Sequence, residues 1–190
     1  MRRLFITAAL LTSLSWGRMS DAEAESVPLG LQVQLLAKVA SYDRNLADRS
    51  GGHVRLAVVT RPGNADSERV TAQILAMLRQ TPSLGGFPHD DVVVKFTTAE
   101  ALAASCRSEH FSIVYFTPGF QDDLGALRTA FQGVSVLTVA SVAGYVPSGG
   151  VVLGFDAASA KPKLLFHVTQ ARLQNVAMST EVVRLMTVFE

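Results

Sequence analysis

The chain predicts an α/β fold: a three-layer sandwich with a mainly parallel sheet and a C-terminal antiparallel β-hairpin. Three observations predict it. Short apolar runs of strand length alternate with segments of helical periodicity from Val54 to Phe131. Those runs are unbroken rather than alternating, as strands covered on both faces must be. Two later runs, Val151–Phe155 and Leu164–Val168, have only the turn Ala-Ala-Ser-Ala-Lys-Pro and its flanks between them, which leaves no room for a crossover helix.

The elements follow in order. Leu31, Leu35, Val39, Tyr42 and Leu46 recur at helical spacing and form one apolar face, and Gly51-Gly52 ends that helix. Val54–Val59 is a strand stopped by Arg61-Pro62-Gly63. Asn64 or Asp66 caps a helix whose inner face is Val70, Ile74, Met77 and Leu78. Pro82 and Gly85-Gly86 make a loop, and Val92–Phe96 is the next strand. Thr97-x-x-Glu100 has the spacing of a capping box for a short helix that carries Leu102. Phe111–Phe116 is a strand broken by Pro118-Gly119, and Leu124, Leu127 and Phe131 mark a helix that Gly133 terminates. Val134–Val139 is the strand before the hairpin, which should lie on one edge of the sheet. Val182, Leu185, Met186 and Phe189 fit a closing helix capped by Ser179.

The 190 residues divide into a leader and one domain. Arg2-Arg3 precedes an apolar run, Leu4–Trp16, and small residues end in Ala22-Glu23-Ala24. That layout predicts a secretory signal peptide over residues 1–24, with 25–190 as the mature domain; the alternative is an uncleaved membrane anchor, against which the shortness of the apolar run argues. Arg2-Arg3-Leu4-Phe5-Ile6 also resembles a twin-arginine export signal, and either route leads out of the cytoplasm to the periplasm. Removing the leader takes three of the 17 basic and two of the 16 acidic residues, leaving 14 of each. A chain of zero net charge lacks the electrostatic footprint of a nucleic-acid-binding protein. Cys106 is the sole cysteine, so no internal disulfide forms; a small buried thiol near a helix end competes with an intermolecular bridge.

The residues advertise no catalytic set, cofactor motif or metal site. His53, His89, His110 and His167 fall in different elements without ligand spacing. His53 and His89 are expected in solvated loops, and His167 facing outward between Phe166 and Val168. No nucleophile elbow, P-loop or dinucleotide fingerprint is present. Gly149-Gly150 and Gly154 open and run through a strand instead of entering a helix, so turn geometry explains them better than phosphate binding. Asp90-Asp91 and Asp122-Asp123 read as solvated or capping carboxylates, the second pair suiting a helix N-terminus.

Two features carry a functional alternative. Tyr42-Asp43-Arg44-Asn45 is either a packed tyrosine followed by solvated polar residues or a patch facing a partner, since aromatic and arginine residues together suit an interface. The loops leaving two parallel strands hold Thr60, Arg61 and Asn64, and Thr117, Gly119 and Phe120. They are either simple punctuation or small-ligand loops, because ligands of open α/β sheets bind beyond the carboxyl ends of the strands. An anion there would meet Arg61.

The strand Leu137-Thr138-Val139, the segment Tyr145–Gly150, Lys161-Pro162 before a strand ending Phe166-His-Val168, and the segment Ser179–Met186 together resemble the YfiR-like family of periplasmic regulators. The helix around Tyr42–Asn45 resembles the corresponding helix of that family. Where related chains carry Glu and Asn near the end of the last strand, this one has His167 and Thr169. The resemblance implies a non-enzymatic protein that binds and represses the periplasmic part of an inner-membrane diguanylate cyclase, within a cyclic-di-GMP pathway, or of a histidine kinase. It also implies a possible homodimer. The alternative is a periplasmic small-ligand sensor or binding protein.

Overall fold

The computed structural model describes residues 26–157 and 161–190, so the expected leader lies outside the described residues. Seven strands form one sheet in the order β2-β1-β3-β4-β5-β6-β7. They are β1 (Val54–Thr60), β2 (His89–Lys95), β3 (Ile113–Phe116), β4 (Leu137–Ala140), β5 (Leu153–Asp156), β6 (Lys163–His167) and β7 (Thr187–Phe189). The first five are parallel. β6 returns antiparallel to β5, with Leu153 opposite Phe166 and Asp156 opposite Lys163. That is the hairpin expected from the missing crossover helix.

The helices are α1 (Leu29–Val39), α2 (Leu46–Ser50), α3 (Ala65–Leu78), α4 (Ala99–Ser108), α5 (Leu124–Ala130), α6 (Val168–Leu173) and α7 (Thr180–Val183). Two apolar cores flank the sheet. Val54, Leu56 and Val58 of β1 and Ile113 and Tyr115 of β3 join Leu36, Val39, Ile74 and Leu78 of α1 and α3 on one face. Ala57 and Val59 join Val114 and Phe116 with Leu102, Cys106, Leu124 and Leu127 of α4 and α5 on the other. The two-residue period of a strand therefore serves both cores at once, which is why these strands read as continuous apolar runs.

Three local expectations are corrected. The first helix stops at Val39 and runs through a 3-10 turn, Ala40–Tyr42, instead of continuing to Leu46. Asp43 is extended there (φ −82°, ψ 107°), and its Oδ1 accepts a hydrogen bond from Asn45 N at 3.2 Å. A carboxylate bonding forward to its own backbone competes with the helix and breaks it. The cap of α4 is Thr98, whose Oγ1 accepts from Ala101 N at 3.1 Å, not Thr97. The expected closing helix contracts to the four residues of α7, and Thr187–Phe189 pairs with β6 as β7. The open edge of β6 outcompetes the helical pattern, and β7, not the hairpin, becomes the sheet edge. Of the two caps expected for α3, the structure uses Asn64, its Oδ1 accepting from Ser67 N at 2.9 Å.

Candidate functional site

The strand order 2-1-3 makes the chain leave β1 and β3 toward opposite sides, and the crevice so opened is where this class of sheet binds ligands. The six loop residues singled out from the sequence converge there. Arg61 N donates to Ser67 Oγ at 2.7 Å, and Thr117 Oγ1 donates to Val59 O at 2.7 Å. Each hydroxyl has one proton, so the 2.6 Å contact between Ser67 and Thr117 must have Ser67 as donor. Thr60 Oγ1 lies 3.4 Å from the same Ser67 oxygen. Gly119 (φ +98°) brings the β3 loop so close that a Cβ would stand 2.9 Å from Asn64 Nδ2.

That crevice is closed by its own residues. The Arg61 guanidinium ion-pairs with Asp123 and lies 5.0 and 4.8 Å from the ring centres of Phe96 and Phe120. Phe120 N in turn donates to Tyr145 Oη at 2.9 Å, and burial raises the Tyr145 phenol above its ordinary range. The anion expected at Arg61 therefore finds Asp123 in its place; Asp123 stands at the N-terminus of α5, as expected, but makes no side-chain capping bond there and serves the arginine instead.

The open space lies one strand further along. A cleft of about 330 Å³ sits beyond the carboxyl ends of β3, β4 and β5, lined by Pro118, Ser141–Gly144 and Phe155–Ala157, with Leu29 and Gln32 of α1 and Arg69 and Val70 of α3 closing its side. Its walls are mostly apolar. Gln32 is held from below, its Nε2 donating to Val27 O at 2.7 Å and its Oε1 accepting from Tyr115 Oη at 2.6 Å. Ser141 differs. The residue is 8% exposed and its Oγ has no hydrogen-bond partner among the described residues.

Ser141 was not marked from the sequence, yet a signal was present. Thr60 ends β1, Thr117 follows β3 and Ser141 follows β4, so three neighbouring parallel strands each finish on a hydroxyl residue. Two of those hydroxyls belong to the closed crevice, and the third residue lines the cleft.

The Tyr42–Asn45 segment divides. Tyr42 (36% exposed) and Arg44 are on the surface, whereas Asp43 is buried, a correction of its expected solvation. Asp43 ion-pairs with Arg49 and its Oδ1 accepts from Ala177 N at 2.9 Å; Asn45 Nδ2 donates to Asn175 O at 3.0 Å. Two of the four side chains thus fasten the chain's own C-terminal segment, and the backbones of the other two bond it as well, Ser179 N donating to Tyr42 O at 2.9 Å and Arg44 N to Ala177 O at 3.1 Å. Beyond that segment Phe166, Val168, Val176, Met178 and Val183 line a shallow apolar groove of about 230 Å³.

The remaining candidates are structural. Among the described residues no three His, Cys, Asp or Glu side chains gather as a metal site. His89 is not in a solvated loop: it begins β2, half-buried, with Asp91 Oδ1 and Thr81 O each 2.9 Å from its ring nitrogens. His53 is exposed, as expected, and pairs with Asp90 at 2.9 Å. His167 is buried instead of facing outward, because the chain turns into α6 and uses it as the N-cap. Gly150 and Gly154 face Leu124 and Val146, which explains them as close-packing positions. No described helix is long and apolar enough to cross a membrane.

No family model matches the chain, and no curated protein matches it. Solved structures do. A conserved domain protein from Vibrio cholerae superposes over 86% of this chain with a TM-score of 0.57 at 14% identity, and 60% of that chain is covered. An ABC domain in complex with L-Trp from Streptococcus pneumoniae matches over 80% (TM-score 0.52, 8% identity, 62% of that chain). A ligand-free, open substrate-binding protein with adhesive properties from Clostridium difficile matches over 77% (TM-score 0.53, 10% identity, 57% of that chain). The chain therefore spans less than two thirds of the length of each. At these identities the likeness is one of fold.

Proposed function

We propose that this chain is an exported, non-enzymatic binding module that takes a small ligand in the cleft beyond β3, β4 and β5. The observation that carries the reading is Ser141: a hydroxyl buried without a partner costs about 1–3 kcal/mol, and a ligand group reaching it recovers that cost. The setting supports it, since the cleft is mostly apolar with a few placed polar groups and lies at the ligand-binding end of the sheet. Two neighbours in fold are a substrate-binding protein and a domain solved with L-Trp, which makes amino acids a first class to try. The leader layout supports a periplasmic location for the module.

The test is thermal unfolding of the purified protein against amino acids, small carboxylates and sugars, followed by titration of any stabilising compound. A ligand at about 100 times its Kd adds about 2.7 kcal/mol to stability. Binding that is saturable in the native protein and weakened in S141V supports the cleft. No stabilisation by any class, or a shift that S141V leaves unchanged, overturns it.

A second reading is favoured by the C-terminal groove. Leu185 (79% exposed) and Val188 (43% exposed) lie on and beside the edge strand β7, close in sequence to Val183 on the groove wall. An apolar surface of that kind suits a protein partner, and the resemblance to YfiR-like regulators names its class: the periplasmic part of a membrane diguanylate cyclase or histidine kinase. Repression would then require tighter binding to the partner's inactive state. Recovery of such an enzyme from solubilised membranes by the native protein, and its loss with L185D, would support this reading; recovery unaffected by L185D would remove the exposed apolar surface at Leu185 from it.

A further inference from the structure

The geometry points to β2 as the pairing edge of a two-fold homodimer, in which β2 of one copy adds antiparallel to β2 of a second. β2 is the outermost strand on its side, seven residues long, and none of its residues is buried, in contrast to β1 beside it. Its outer row of backbone groups is a template for another strand, and its Val92-Val93-Val94 run has the β-branched character such pairing uses. Val93 is 41% exposed.

The occupant follows from charge complementarity. A two-fold axis perpendicular to the sheet keeps each face on its own side, so residues that meet must share parity. Centred on Val93, the pairing sets Val93 against Val93 of the other copy, Asp91 against Lys95 and Lys95 against Asp91, all on one face. On the other face Val92 meets Val94 twice, which extends the core that these two valines already border. Centred on Val92, Asp91 would face Val93 and His89 would face Lys95. Centred on Val94, Lys95 would face Val93. Only the Val93 register matches both charges on the two copies. Asp91 is already held by His89 at 2.9 Å, which fixes its carboxylate on the strand before the partner lysine arrives.

The charges also explain why the edge remains selective. Lys95, Asp90 and Asp91 are the kind of residues that deter indiscriminate strand addition, and they become favourable against this one sequence run in reverse.

Sedimentation equilibrium on the purified protein tests it, together with cysteine cross-linking. Facing residues of an antiparallel pair lie about 4.5–5.5 Å apart at Cα, within the range a disulfide bridges. V93C should form a disulfide-linked dimer under mild oxidation, whereas V92C, which meets Val94, should not. The native Cys106 is buried and leaves the engineered thiol as the reactive one. K95E sets two carboxylates against each other twice and should raise the dimer Kd at least about tenfold. D91K/K95E should restore it; if that variant fails to fold, the V93C and V92C pair decides. A protein that stays monomeric at about 100 µM overturns the proposal. So does a dimer that K95E leaves unchanged and V93C does not capture.

Discussion

Asp43 and Arg49 form an ion pair almost wholly withdrawn from solvent, and around it the chain ties its first helical region to its C-terminal segment. Arg49 Nε also donates to Ser112 O at 3.1 Å, and Asp43 Oδ1 accepts from Ala177 N at 2.9 Å. Removing one member of a buried pair leaves the other charge uncompensated. Arg49→Ala or Asp43→Asn should therefore destabilise the fold by about 3–5 kcal/mol. Urea unfolding measures it. Replacing the surface neighbour Arg44 by Ala should change stability by less than about 0.5 kcal/mol.

Gly150 tests the reading of the glycine-rich segment. A Cβ there would stand 2.5 Å from Leu124 Cδ2 and 3.0 Å from Leu124 Cβ. Leu124 is itself buried in the second core and has little room to withdraw. Gly150→Ala should cost about 1–3 kcal/mol by overpacking. An anion-cradling role would instead leave stability intact and make it sensitive to phosphate. Unfolding of both proteins with and without phosphate separates the two.

How much of this was legible before the structure depends on where each residue's partner lies. β1, β3 and β4 were readable because both faces are buried, so Val54–Val59 shows an unbroken apolar run whatever surrounds it. The convergence of Thr60, Arg61, Asn64, Thr117, Gly119 and Phe120 was readable from strand ends alone. Its closure was not, because the ion pair that shuts it joins Arg61 to Asp123, 62 residues later. Asp43 is the same case in sharper form, since its backbone donor Ala177 lies 134 residues away. Thr187–Phe189 failed for a different reason. Its apolar positions fit a helix, and only the unpaired edge of β6 selects the strand.

Cys106 should be chemically silent in the folded protein. It lies on α4 in the second core, and burial pushes its thiol up to about 12, outweighing the opposite pull of Arg107. A thiol so held has almost no thiolate at pH 8. A thiol-specific disulfide reagent should therefore react with the native protein only at the rate of its unfolding, and at once in denaturant. Rapid native reaction, or a disulfide-linked dimer of the unmodified protein on a non-reducing gel, would restore the intermolecular bridge as the role of this residue.

His167 gives the fold a pH dependence whose sign is fixed by its surroundings. Burial lowers its pKa from the ordinary value of about 6.5, and the nearby positive charge of Arg128 lowers it further. The ring also accepts from Gln170 N through Nδ1 at 3.4 Å, a role only the unprotonated nitrogen fills. The folded state therefore binds this proton less readily than the unfolded state. Its stabilising contribution is complete above about pH 6.5 and is lost as pH falls from there through the lowered folded value. His167→Asn keeps an acceptor at the start of α6 and removes the titration. Urea midpoints at pH 7.5 and pH 5 should fall with acidification in the native protein, and the drop should be smaller in the variant. An equal drop in both would assign the acid sensitivity to groups other than His167.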